Sequence, residues 1–78
     1  MKPYKKRLFK EFKELTNKCK KLDEFIQKVK DGEIEADELD CPLYLLERQL
    51  SVMVSYASVL MTRIRWNKED HENAGNVE

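Results

Sequence analysis

The sequence predicts an all-α fold: an antiparallel two-helix hairpin, coiled-coil-like, that assembles into a homo-oligomeric helical bundle. Three observations predict it. Two stretches repeat apolar residues at alternating steps of three and four, the seam of a coiled coil, with one acidic segment between them. The two repeats match one another when the chain is folded back on itself. Finally, 78 residues with two glycines and two prolines lack the turn punctuation that β-hairpins and barrels need. A chain this short also has room for one small domain and little core.

The first helix is expected over about residues 3–30. Pro3 suits a first turn, where its missing N–H costs nothing. Leu8, Phe12, Leu15, Cys19, Leu22, Ile26 and Val29 then form the seam. Residues 31–41, DGEIEADELDC, end the pattern as an acidic loop, and Gly32 can supply a left-handed closing residue. The second helix is expected over about 42–66, with Asp40 as a cap and Pro42 near its first position. Its seam is Leu43, Leu46, Leu50, Met53, Ala57, Leu60 and Ile64. Together 1–66 form the hairpin; 67–78, NKEDHENAGNVE after Trp66, reads as a polar, frayed or disordered tail.

Folding back at the loop pairs Val29 with Leu43, Ile26 with Leu46, and so on to Leu8 with Ile64. Every pair of residue numbers sums to 72, over seven layers. The second helix carries a further stripe on an adjacent face: Leu45, Gln49, Val52, Tyr56, Val59, Arg63 and Trp66. One partner helix covers one stripe, so this second one would lie in water. The expected remedy is self-association, as a dimer-based tetramer or larger, with Leu45, Val52, Val59 and Trp66 in the interface.

Basic and acidic residues number fifteen each, but they are segregated: +7 over 1–30, −7 over 31–47, +4 over 48–68 and −4 over 69–78. Such blocks create local fields although the total is zero. Enzymatic classes fail on inventory. His71, the single histidine, sits in the acidic tail, so no Ser-His-Asp or Cys-His set can be assembled. Two cysteines without C-x-x-C spacing make no zinc site, and the acidic loop lacks the EF-hand ligand pattern. Cys19 and Cys41 sit about 18 Å apart by helical rise, beyond disulfide reach, so free thiols are expected. No cofactor is implied. No apolar run approaches a membrane span, so no membrane partner is expected.

What remains is a basic and aromatic cluster. Antiparallel pairing sets Tyr4, Arg7 and Lys10 near Arg63, Arg65 and Trp66, with the positive end of the first helix dipole beside them. Cations with flat rings suit a small anionic nucleotide: charge for phosphate, a ring for the base. Gln49, Tyr56 and Arg63 lie on the adjoining stripe, facing either ligand or another protomer. The candidate ligand-binding residues are therefore Tyr4, Arg7, Lys10, Gln49, Tyr56, Arg63 and Arg65. The acidic loop and tail argue against a nucleic-acid partner.

The runs YKKRLFKEFKEL, KKLDEFI and CPLYLLERQLSVMVSYASVLMTRI resemble a family of small helical-hairpin proteins of tailed phages and prophages, crAss-like phages included. The resemblance rests on Tyr4, Arg7, Glu11, Leu15 and Leu22-x-x-Phe25-Ile26, then Leu45-Leu46-x-x-Gln49, Met53, Tyr56, Leu60 and Arg63. It covers about residues 4–64. Phe12 stands where the family often has tyrosine. The resemblance implies a phage accessory protein acting in the cytoplasm of the infected bacterial host. By architectural analogy it is similar to phage sponge proteins, small helical homo-oligomers that sequester the nucleotide signals of CBASS and Thoeris defence. The expectation is sequestration, without cleavage, of a cyclic oligonucleotide such as a cGAMP-like molecule. The alternatives are a TIR-derived ADP-ribose signal, or a ligand-free structural or adaptor oligomer.

Overall fold

The computed structural model describes residues 3–68; the expected frayed tail beyond, His71 included, lies outside the described residues. Helix α1 runs Pro3–Lys30 and helix α2 runs Leu43–Lys68, with one 3₁₀ turn, Ala36–Glu38, in the loop between them. The two helices pack antiparallel as a hairpin.

Each boundary has a local cause. Helix α1 closes on a Schellman motif: Gly32 N–H donates to Val29 C=O at 3.1 Å and Glu33 N–H to Lys28 C=O at 2.9 Å. That motif needs a residue with φ near +84°, which glycine adopts without the Cβ penalty. Lys28 and Lys30 in the last turn complement the dipole there. Helix α2 opens with Leu45 N–H donating to Pro42 C=O at 3.0 Å, so Pro42 sits just before the first helical residue. Its far end reaches Lys68, two residues past Trp66. Asn67 holds that last turn, its side-chain amide donating to Arg63 C=O at 2.8 Å. Lys5 Nζ donates to Asn67 C=O at 3.2 Å, tying the two helix ends together.

All fourteen seam residues are buried or half-buried, and they follow the expected register. Leu8, Leu60 and Ile64 form a buried cluster at the open end of the hairpin, with Phe12 and Leu15 packed against it. The contacts flanking the seam identify its handedness of pairing. In heptad terms the seam occupies a and d, and antiparallel helices then bring e beside e and g beside g. Lys30 and Glu47, both e, form an ion pair at 2.8 Å. Phe9 and Lys68, also both e, stack with the ammonium 5.5 Å from the ring centre. Glu11 and Tyr56, both g, share a hydrogen bond in which the phenol donates. Parallel helices would cross e with g, so the three contacts agree on the antiparallel sense.

The core is small. Among the described residues Leu8, Ile26, Leu60 and Ile64 are the buried apolar side chains. Each seam residue has one helix opposite it and solvent on both flanks, so most reach only half burial. The radius of gyration, 17.4 Å, compares with about 11–12 Å for a globule of this length. The hairpin is a rod, and a rod leaves surface to cover. Leu60 is fully buried, so Leu60→Ala should cost about 2–5 kcal/mol in urea-unfolding measurements. A loss below about 1 kcal/mol would mean that the seam is not the core.

Candidate functional site

The g positions place one long face of the hairpin, and the candidate site lies on it. From α1 this face presents Tyr4, Arg7, Glu11, Glu14 and Lys18; from α2 it presents the stripe from Leu45 to Trp66. Near its middle lies an open depression of about 340 Å³, lined by Arg7, Lys10, Glu11, Glu14, Leu15, Lys18 and Tyr56. Five charged or aromatic groups come from successive turns of α1, whose i, i+3 and i+4 neighbours share a face. Tyr56 is the contribution of α2, and its hydroxyl donates to the Glu11 carboxylate across the groove.

The local sequence explains the electrostatics. The first turn of α1 holds no acid, although negative charge would suit the dipole there. Lys5, Lys6 and Arg7 stand in its place, concentrating positive potential at the open end. Arg7 and Lys10 bring that potential to one end of the depression, and Lys18 holds a cation at the other. Glu11 and Glu14 lie between them. The site is therefore cationic at its ends and carboxylate-bearing in its middle.

Three of the seven expected ligand residues, Arg7, Lys10 and Tyr56, come together in this depression. Tyr4, Gln49, Arg63 and Arg65 do not line it. The register sets Tyr4 opposite Arg63 one heptad towards the open end, and Lys18 opposite Gln49 one heptad towards the loop. Gln49 turns its amide nitrogen to Met53 Sδ at 3.8 Å. Arg65 is exposed on α2 outside this stripe. Sequence reasoning missed Glu11, Glu14 and Lys18 as lining residues. The signal lies in the register: Glu11 and Lys18 flank the seam at g, which sets Glu11 opposite Tyr56. The four apolar residues expected in an interface are all exposed in the hairpin: Leu45 40%, Val52 63%, Val59 56% and Trp66 49%.

A family model described as Sequestin matches residues 2–66, taking in both helices, the loop and every residue that lines the depression. The chain belongs to the Sequestin family. No curated protein and no solved structure matches it. For this Sequestin-family chain the matched region ends at Trp66, the last residue of the α2 stripe.

Two further sites are smaller in chemical scope. At the open end, on the opposite e face, Lys5, Phe9 and Lys68 edge a cavity of about 180 Å³ floored by Leu8 and Ile64. Near the loop, the Lys30–Glu47 pair crosses a shallow groove that contains Ile26 and Leu50. That pair raises the Lys30 pKa, through the hydrogen bond to Glu47 first and its charge second. Both thiols are free and half-buried. Burial pushes the Cys41 thiol up, helped by the hydrogen bond to Asp40 and by its charge. A raised pKa leaves less thiolate at neutral pH, and the thiolate is the nucleophile. Cys41 should therefore alkylate with iodoacetamide more slowly at pH 7.5 than the same cysteine in the urea-unfolded chain, followed by mass spectrometry. Faster alkylation in the folded chain would contradict that environment.

The Tyr56–Glu11 bond yields a second expectation. It is exposed and crosses the groove, so Tyr56→Phe should cost about 0.5–1.5 kcal/mol of stability, less than truncating Leu60. Urea titration of the two variants side by side compares them.

Proposed function

We propose that this protein sequesters a small nucleotide defence signal, binding it without cleaving it, as a phage-encoded immune-evasion protein in the cytoplasm of the infected host. One observation carries the reading: a single groove combines cations, a tyrosine ring and carboxylates without a nucleophile and base in catalytic relation. Arg7, Lys10 and Lys18 suit phosphate oxygens, with Arg7 offering the bidentate fork. Tyr56 offers a ring edge or face to a base. The family's name, Sequestin, supports a binding role over a catalytic one. The phage setting rests on the resemblance of the runs from Tyr4 to Arg63.

Within that reading the lining favours one signal class. A cyclic dinucleotide presents two phosphodiesters and a single hydroxyl on each ribose. It asks for cations on both sides and leaves carboxylates little to do. An ADP-ribose signal presents a pyrophosphate and vicinal ribose hydroxyls. Carboxylates accept hydrogen bonds from such hydroxyls, as acidic residues do in dinucleotide sites. Glu11 and Glu14, set between Arg7 and Lys18, match that pattern. The volume, about 340 Å³, falls at the lower end of small-ligand pockets and suits the smaller ligand. We therefore place a TIR-derived ADP-ribose signal of the Thoeris kind ahead of a cGAMP-like cyclic dinucleotide of the CBASS kind.

Calorimetry with ADP-ribose, cyclic ADP-ribose isomers, cyclic dinucleotides and cyclic trinucleotides tests this directly. An ADP-ribose-type ligand should bind, and heating the complex should return it chemically unchanged. Arg7→Ala should weaken binding by about 1.5–3 kcal/mol, the worth of a charged hydrogen bond, or about tenfold to 150-fold. Glu14→Gln should weaken ADP-ribose binding and leave any cyclic dinucleotide binding unchanged. If the dinucleotide bound instead, and Glu14→Gln strengthened it by removing repulsion, the signal class would be the CBASS one. Absence of binding across the panel would end the sponge reading and leave a ligand-free adaptor.

A further inference from the structure

We infer that a second copy of this chain packs on the α2 stripe, antiparallel and two-fold symmetric about Tyr56, and that this contact walls the Arg7–Tyr56 depression. The pairing stands by itself; only the walling rests on the binding reading above.

The stripe is palindromic in chemistry. Outward from Tyr56 it reads valine, then a polar residue, then a large apolar one, in both directions. One arm is Val52, Gln49 and Leu45; the other is Val59, Arg63 and Trp66. A two-fold contact brings residue i against j and, by symmetry, j against i. With Tyr56 on the axis, Val52 meets Val59 of the second copy, Gln49 meets Arg63, and Leu45 meets Trp66. All those pairs of numbers sum to 111 or 112, so one register satisfies them together.

The polar pair decides the direction. A guanidinium is a pure donor, and a glutamine side chain offers an acceptor oxygen. Antiparallel packing joins Arg63 to Gln49 twice. Parallel packing would set Arg63 against Arg63, and α2 has no acid beyond Glu47 to offset that repulsion. A slip of half a heptad buries Gln49 or Arg63 against valine, which leaves a polar group orphaned, and a slip of a whole heptad sets one of them against Tyr56 and parts the two from each other. In the single hairpin Gln49 faces only a thioether, Met53 Sδ at 3.8 Å, a weak acceptor. Meanwhile Val52, Val59 and their apolar neighbours form a contiguous exposed row, which lone soluble proteins avoid.

Tyr56 belongs to both features: it sits on the axis and it lines the depression. A second copy seated on α2 therefore reaches the edge of each open depression, one on either side of the axis. Water is excluded from the α2 side of the site, and the charged groups of α1 act in a drier setting.

Cross-linking at the axis tests the register. In a Cys19→Ala, Cys41→Ser background, Tyr56→Cys should oxidise to a covalent dimer at least tenfold faster than Arg48→Cys, which lies off the stripe. Sedimentation equilibrium tests the pairing. Gln49→Arg should weaken self-association at least tenfold, because it opposes two like charges. The exchange Gln49→Arg with Arg63→Gln should restore it, since the same two groups meet with their places reversed. Circular dichroism confirms that each variant keeps its helices. A parent chain that stays monomeric at hundreds of micromolar overturns the proposal. So does a dimer in which the exchange restores nothing, or in which Arg48→Cys links as fast as Tyr56→Cys. None of these measurements uses a ligand, so they fail separately from the ADP-ribose titration.

Discussion

The a/d seam between α1 and α2 is the constraint on which everything else depends. It fixes which residues of two long helices stand opposite one another, and it does so with little buried volume. Leu8, Leu60 and Ile64 anchor the open end, and Phe12 and Leu15 close over them. Because that register is set by apolar complementarity, the flanking polar positions inherit their partners. Glu11 meets Tyr56, and Lys30 meets Glu47, only because Leu8 has already met Ile64. A slip of one heptad would keep the seam apolar. It would move Tyr56 a full turn or two away from Glu11 and dismantle the groove.

The seam also explains what the hairpin leaves uncovered. Two helices bury one stripe each. Helix α2 has two, and no other part of the described chain lies over the second. The tie between Lys5 and the last turn of α2 steadies the open end but buries little. Surface ion pairs contribute little either; Lys30 and Glu47 are both about half exposed, which leaves them screened. The single hairpin therefore combines a small core with a long exposed apolar stripe.

Much of the fold was legible because coiled-coil periodicity is a local signal with a global consequence. The two helices and their seven-layer antiparallel register follow from spacing alone. The left-handed closure at Gly32 was legible too, whereas the last turn through Lys68 needed the structure, since it rests on hydrogen bonds of Asn67. The site was less legible. Arg7, Lys10 and Tyr56 were reachable from charge and aromatic content, and they do converge. Gln49 and Arg63 carry a different signal: polar residues that interrupt an apolar stripe need partners. The stripe carries them away from the groove, and in the proposed pairing each meets the other across the two-fold axis. Glu11 and Glu14 were overlooked because an acid beside lysines reads as a solvated helix pair until a groove gives it a second role.

Charge segregation has a physical reading in this light. The proposed binding role asks for positive potential where an anionic ligand would enter, without a basic track that would pack nucleic acid along the rod. Helix α1 supplies the first with Lys5, Lys6, Arg7 and Lys10 on its opening turns. The acidic loop supplies the second, since its −7 over residues 31–47 opposes a continuous basic track along the rod. In a two-fold antiparallel pair the loop of one copy lies towards the open end of the other, because α2 runs from loop to open end in each. Acidic loop and basic end would then face one another across the dimer, steering two copies into the same antiparallel sense that Gln49 and Arg63 select. In that proposed pair, the field that would draw the ligand and the field that would orient the two copies are one arrangement of charge.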